Sequence, residues 1–341
     1  MVTGLLLLMG GAELLVRGAA CLAAGLKVRP LVMGLGVVAL GSSAPQLVVS
    51  LQAAYVGTPD IAVGSLFGSN IFSLLVTLGL SALIVPLRVS RQLVRLDIPL
   101  LIAASALVFL LAFNEQLGRL EGSLLLGGLV VYLGTLWRQS RHPGRGPDPR
   151  KAVPWLRSAG LMFGGLLLLM GGGHLLLEAA IEVAKDFGLS DRIIGLTIVA
   201  VGTSLPELAT SLIAALRGQR EIAVGNVIGS NLFNLLGVLG LTALLAPQPL
   251  SVSPNALDFD LPVMLGVAVL CLPLFYSGYR ITRGEGLILL GLYLAYGLHV
   301  VSFTTGMPLA ARLEDLMLFY VLPVLGAVVV VTSVKAWRRQ R

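Results

Sequence analysis

Charge is scarce in this chain. Of its 341 residues only 12% are Asp, Glu, Lys or Arg, about half the share of a soluble domain. Histidine occurs three times and cysteine twice. The histidines do not cluster, and Cys21 and Cys271 lie in separate apolar stretches without metal-ligand spacing. A disulfide scaffold and a zinc site are therefore excluded. An intramembrane enzyme would need a nucleophile beside a base, or a close pair of carboxylates or histidines. Neither occurs, so no catalytic residue and no cofactor are expected. Apolar residues, by contrast, make up 56% of the chain, with a mean hydropathy of +0.92. That excludes a soluble globular domain and a disordered tail. The apolar run Leu5–Leu8 has no basic start and merges into a stretch too long for a signal-peptide core, so no signal peptide is expected.

Runs of around 20 apolar residues can cross a bilayer as helices. Eleven are predicted, near 3–25, 31–56, 60–85, 97–113, 120–137, 159–184, 193–216, 221–246, 259–277, 285–304 and 316–334. One linker stands out, the Pro/Arg-rich stretch Arg138–Arg157. The net charge of +7 is read first as topology. Connections after odd-numbered spans, with the C-terminus, hold 19 of the Lys and Arg residues, and those after even-numbered spans hold 4. The N-terminus is thus expected outside, and the central linker and C-terminus in the cytoplasm of a multi-pass protein in the inner or plasma membrane.

The sequence repeats itself. Leu5–Gly11 recurs as Leu166–Gly172, and Gly34–Pro86 aligns without a gap onto Gly195–Pro247 with 29 identities in 53 positions, always at an offset of 161. Five spans separate the copies. An odd number makes the second copy enter the membrane from the opposite side, the plan of many secondary transporters, whose substrate sits where the halves meet. The expected fold is all-α and polytopic, two inverted five-helix repeats plus an extra C-terminal helix. Residues 1–137 form the first repeat, 138–158 a basic cytoplasmic linker, 159–304 the second repeat, and 305–341 the additional helix and basic tail.

Each half carries matched polar interruptions. The second span reads Gly41-Ser42-Ser43-Ala44-Pro45-Gln46, and the seventh Gly202-Thr203-Ser204-Leu205-Pro206-Glu207. Proline cannot donate to the carbonyl four residues back, so those of Gly41 and Gly202 are freed, and both helices are expected to open locally. In lipid such groups need partners from protein, water or an ion. An ionised Glu207 at mid-depth costs at least about 2.5 kcal/mol uncompensated, which makes it a functional candidate. The third span adds Gly64-Ser65-Leu66-Phe67-Gly68-Ser69-Asn70-Ile71-Phe72-Ser73, and the eighth Gly225-Asn226-Val227-Ile228-Gly229-Ser230-Asn231-Leu232-Phe233-Asn234. Ser69 and Ser73 share one helix face, as do Ser230 and Asn234. The glycines form small-xxx-small packing pairs, and the oxygens suit hard cations.

These residues resemble the alpha-repeat signature of the cation/calcium exchanger superfamily, above all its prokaryotic sodium/calcium exchangers. The resemblance covers both halves. It implies ten helices in two inverted halves, with spans 2, 3, 7 and 8 building four central cation sites and spans 1 and 6 sliding across them. The implied ligands are Ser42, Ser43, Gln46, Ser69, Ser73 and the Ala39 carbonyl in the first half. In the second they are Thr203, Ser204, Glu207, Ser230, Asn234 and the Ala200 carbonyl. The chain departs from the family pattern at Gln46, where Glu is usual, at Ser73, where Asn or Asp is usual, and at Asn234, where Asp is frequent.

One carboxylate remains. Calcium takes six to eight oxygens, and its affinity follows ligand charge. A single Glu leaves bound Ca²⁺ with a local charge of about +1, which low dielectric disfavours, yet it neutralises one Na⁺ or H⁺. This leaves two substrate readings. One is Na⁺ (or H⁺) exchange for Ca²⁺. The other is exchange of a monovalent cation, sodium or potassium, for a proton at Glu207. A passive cation channel and a non-transporting homologue are the readings of other classes. The expected surroundings are the lipid bilayer and small inorganic cations, with no nucleic acid and no protein partner inferred. Glu13 with Arg17, and His174 with Glu178, are expected to satisfy one another at i,i+4. Asp60, Glu221, Asp258 and Asp260 are expected to be solvated at span ends, leaving Glu13, Glu178 and Glu207 as the acids well inside spans.

Overall fold

In the computed structural model the described residues are 1–140, 154–186, 198–276 and 278–305, with the isolated positions 316 and 320. The linker's core and the predicted eleventh span lie outside the described residues. Ten helical segments follow the predicted ones in order: α1 (Val2–Leu26), α2 (Pro30–Val56), α3 (Pro59–Ile84), α4 (Leu93–Asn114), α5 (Arg119–Ser140), α6 (Trp155–Asp186), α7 (Ala200–Thr203, then Leu205–Leu216), α8 (Arg220–Leu245), α9 (Ala256–Tyr276) and α10 (Arg283–Thr305). Among the described residues, nine helices are long and apolar enough to cross a membrane. The described part of α7 is shorter.

Helices α3 and α8 are buried along most of their length, whereas α5 and α10 present most of theirs outward. An apolar helix exposed in this way needs lipid around it, not water. The two buried helices carry the serine and asparagine clusters, so the fold places its most polar spans where lipid cannot reach them.

Glycine sets the closest contacts. Along the antiparallel pair α1 and α6, a Cβ on Gly4 would lie 3.0 Å from the Gly172 carbonyl oxygen, and one on Gly11 2.7 Å from that of Gly165. Gly4 and Gly11 are the sequence counterparts of Gly165 and Gly172, so exchanging the two copies maps one contact onto the other. Gly79 on α3 meets Gly286 on α10, and Gly122 on α5 meets Gly240 on α8. Gly240 is the counterpart of Gly79 at the offset of 161, and Glu121-Gly122 matches Glu285-Gly286 at 164, so these two contacts are also exchanged partners. Close backbone approach of this kind is how helices associate in lipid.

Two short antiparallel ladders tie the helix ends together. Strand β1 (Leu87–Arg88) pairs with β4 (Arg280–Ile281), and β2 (Gln116–Leu117) with β3 (Leu250–Ser251). The first joins the connections after α3 and α9, and the second those after α4 and α8. Connections three and nine thus share one end of the bundle, and four and eight share another, as alternate crossings require.

Five helices contain a fully described π turn, Gly34–Val38, Ser73–Thr77, Leu93–Asp97, Phe233–Val238 and Ala256–Asp260, and residues 198–199 at the head of α7 are π-helical as well. A π turn inserts one extra residue and re-aims the side chains beyond it, and it recurs at functional sites. The turns in α4 and α9 correct the sequence reading. They start these helices at Leu93 and Ala256, upstream of Pro99 and Pro262, and so carry Asp97 and Asp260 into the bundle at 0% and 8% exposure. Asp260 is therefore not solvated. Its Oδ1 accepts a hydrogen bond from the Tyr296 hydroxyl at 3.0 Å. Asp97 joins the acids held inside spans, while Asp60, Glu221 and Asp258 keep some solvent access.

Candidate cation site

The polar segments of α2, α3, α7 and α8 meet in the middle of the bundle. Ser42, Ser43, Gln46, Ser69, Ser73, Thr203, Ser204, Glu207, Ser230 and Asn234 are all buried, none more than 5% exposed. Glu207 lies at their centre. Ser43 Oγ donates to its Oε1 at 3.1 Å, and Ser73 Oγ to its Oε2 at 2.5 Å. Both donors come from the first copy of the repeat and the acceptor from the second. Charge-assisted hydrogen bonds are about twice as strong as neutral ones, so this clasp offsets much of the cost of burying the carboxylate.

Further contacts cross between the copies. The hydroxyls of Ser69 and Ser204 are 2.6 Å apart, and Ser42 Oγ donates to Asn226 Oδ1 at 3.0 Å. Ser42 Oγ also lies 3.2 Å from the Ala39 carbonyl oxygen. Ser230 Oγ donates to the Val227 carbonyl oxygen at 3.0 Å. Asn234 Nδ2 donates to Asn70 Oδ1 at 3.0 Å. Ala200 heads the short segment Ala200–Thr203.

The two proline motifs differ in backbone. Helix α2 was expected to open at Pro45, but it runs unbroken from Ala39 to Val56 with the proline inside it. A proline can bend a helix without ending it. In α7 the helix stops at Thr203, turns at Ser204 (φ −92°, ψ −4°) and restarts at Leu205. Glu207 then falls in the first turn of the new segment, where the positive end of the helix dipole favours an anion. Gln46, which carries no charge, has no such need.

Two amide oxygens of the implied ligands have no hydrogen-bond partner among the described residues, Gln46 Oε1 and Asn234 Oδ1, and the neighbouring Asn231 Oδ1 has none either. Gln46 turns its amide nitrogen to Ser65 Oγ at a long 3.4 Å. Gln46 and Asn234 are the repeat counterparts of Glu207 and Ser73, which do bond one another. A buried acceptor left unpaired costs about 1–3 kcal/mol, and a cation is one partner that removes this cost. Serine and threonine hydroxyls can serve in both circumstances, donating to the carboxylate or turning a lone pair to an ion.

Four further residues at the site carry no signal of their own in the sequence. Asn226 bridges Ser42, the Glu207 backbone carbonyl at 3.3 Å and Ser211 at 2.9 Å. Ser65 receives Gln46, Asn70 receives Asn234, and Asn231 Nδ2 donates to the Val227 carbonyl oxygen at 2.7 Å. All four stand inside the quoted repeat motifs, so their signal was position in the motif, without a charge to single them out. The i,i+4 pairs form as expected, Glu13 with Arg17 and His174 with Glu178. Glu13 has a further partner: Arg217, at the end of α7, grips both its oxygens at 2.8 Å.

The chain matches the sodium/calcium exchanger protein family over residues 1–138 and 157–302. It is 39% identical to the protein CaxA of Alkalimonas amylolytica over 86% of this chain and 95% of that one. It is 35% identical to the inner membrane protein YrbG of Escherichia coli (87% and 94%) and 30% identical to the sodium/calcium exchanger MaX1 of Methanosarcina acetivorans (86% and 95%). Its fold superposes on the sodium-calcium exchanger NCX_Mj soaked with Na⁺ and Ca²⁺ with a TM-score of 0.74 and 31% identity, covering 86% of this chain and 95% of that one. With a buried, cross-linked oxygen cluster at the centre of an all-helical bundle, this chain belongs to the sodium/calcium exchanger family of membrane antiporters, which are transporters and not enzymes.

Proposed function

We propose that the protein exchanges sodium, or protons, for calcium across the inner or plasma membrane, by alternating access to the oxygen cluster around Glu207. The ligands in this reading are Glu207, Asn234, Ser230, Thr203, Ser204, Gln46, Ser42, Ser43, Ser69, Ser73 and the carbonyls of Ala39 and Ala200. The observation that carries it is the clasp on Glu207: both carboxylate oxygens are held by hydroxyls from the other copy of the repeat. A Na⁺ or H⁺ that neutralises the carboxylate displaces these donors and frees their oxygens. The same site then takes the competing ion when the first leaves, so the two share one charge and compete. Two inverted halves, residues 1–137 and 159–304, are supported by the glycine contacts that map onto one another when the copies are exchanged. An outside N-terminus with the central linker and C-terminus in the cytoplasm is supported by the Lys/Arg bias.

The neutral Gln46 favours a second reading, a sodium or potassium/proton exchanger in which Glu207 alone titrates against one monovalent ion. Flux in proteoliposomes separates the two. Calcium uptake driven by an outward sodium gradient, saturating and abolished without the gradient, supports calcium exchange. Sodium-dependent proton movement without calcium movement replaces it with the second reading. Ohmic current without counter-ion dependence would sink both and leave a channel.

A further inference from the structure

The two ladders at the helix ends are counterparts in the repeat, but their side chains differ in kind. In the β2–β3 ladder Gln116 stands opposite Ser251, and in β1–β4 Arg88 stands opposite Arg280. The other register pair of β1–β4, Leu87 and Ile281, is fully buried. Side chains alternate along a strand, so both arginines project to the opposite side from that core, and both are exposed. Directly opposed residues of an antiparallel pair hold their Cβ atoms about 4.5–5.5 Å apart, and like charges at that spacing repel.

Nothing among the described residues relieves this repulsion. No acidic side chain pairs with Arg88 or Arg280 there. Of the nearby acids, Glu285 Oε2 accepts from the backbone and hydroxyl of Thr282, and Asp97 is buried in α4. More positive charge lies close by. The Arg91 guanidinium sits 5.7 Å over the ring of Tyr279, the residue before Arg280, and the Tyr279 carbonyl accepts a backbone bond from Val89 at 2.9 Å. Arg283 reaches back to the Ile84 carbonyl oxygen at 3.5 Å. A topology signal needs positive charge on one side of the membrane, but it does not need two arginines in register on a hydrogen-bonded ladder.

We propose that Arg88 and Arg280, held side by side by the β1–β4 ladder, form a binding site for the phosphate of an anionic phospholipid headgroup, flanked by Arg91 and Arg283. The ladder lies just past the last turns of α3 and α9, at the level where a headgroup phosphate would lie. Planar guanidinium groups match phosphate oxygens in paired hydrogen bonds. The lipid would bridge the end of α3 to the end of α9 and so join elements from both copies of the repeat. The inference is independent of which cations are exchanged.

The test is lipid retention and thermal stability of the purified full chain. Native mass spectrometry with phosphatidylglycerol or phosphatidylcholine should show preferential retention of the anionic lipid, with a matching rise in melting temperature. Each basic residue near an anionic surface contributes about fivefold in affinity, so R88Q/R280Q should weaken phosphatidylglycerol binding by about 25-fold and lose the thermal shift. R88K/R280K should keep most of the binding, and Q116A/S251A on the opposite ladder all of it. Should the glutamine variant fail to fold, a tenfold rise in ionic strength must strip the lipid from the wild-type chain. Equal binding of the two lipids by the wild-type chain would overturn the proposal. So would undiminished binding by R88Q/R280Q, or an equal thermal shift from inorganic phosphate alone, which would make the site one for free anions.

Discussion

Helices α2 and α7 carry the same motif and do different things with it. In α2 the proline is absorbed into a continuous helix and the residue after it, Gln46, is neutral with an unpartnered oxygen. In α7 the helix breaks at Ser204, and the residue after the proline, Glu207, carries an ionisable carboxyl group held by two hydroxyls. The difference teaches that a duplicated site need not stay symmetric. Charge has been gathered onto one copy, together with the helix terminus that favours it, while the other copy contributes neutral donors and acceptors.

The sharpest way to break this comparison is to remove the charge. Glu207→Gln forfeits both charge-assisted hydrogen bonds and the one carboxylate, a loss of about 3 kcal/mol or more. Ion-driven flux in proteoliposomes should fall at least 100-fold by that ~3 kcal/mol, and unchanged flux would put the ion site elsewhere. Ser73→Ala and Asn234→Ala, counterparts across the repeat, come next. Loss of a donor to the carboxylate should weaken the apparent sodium affinity by about 2 kcal/mol for Ser73→Ala. The neutral contact of Asn234 should give about 1 kcal/mol, and equal losses would mean the halves contribute alike.

Gln46→Glu restores the second carboxylate and should tighten calcium binding about tenfold, or about 1.4 kcal/mol, as read by isothermal titration. Combining it with Glu207→Gln moves the charge onto the unbroken helix. Recovery of flux in that double variant would show that the break at Ser204 is dispensable. Arg217→Gln should do least, because the side chain is about half exposed. An exposed ion pair contributes about 0.5 kcal/mol, which a thermal melt of the purified variant should resolve as a small downward shift.

Much of this was legible in the sequence because polar residues inside apolar runs have few structural explanations. Ser42, Ser43, Ser69, Ser73 and Glu207 stand out for that reason, and the structure brings Ser43 and Ser73 onto Glu207, Ser42 onto Asn226, which also bonds the Glu207 carbonyl, and Ser69 onto Ser204. The repeat then allowed each to be matched with its counterpart. The π turns were not legible, since neither Leu93–Asp97 nor Ala256–Asp260 differs in hydrophobic pattern from an α-helical start. Asp97 and Asp260 therefore read, from sequence, as acids at the ends of spans. The unequal response to Pro45 and Pro206 was hidden as well, because the freed carbonyl is the same in both and the backbone answers to its surroundings. The partner of Glu13 lay some 200 residues away in Arg217, and i,i+4 spacing alone pointed only to Arg17.

The two ladders also have a consequence in time. Leu87 cannot find Ile281 until roughly 190 more residues have left the ribosome, which at about 5–20 residues per second is on the order of 10–40 seconds. For roughly the first 120 of those residues Glu207 is not yet made, and the serines of the first repeat have no carboxylate to face. The first half must therefore be tolerated by the membrane before the second half gives it a purpose.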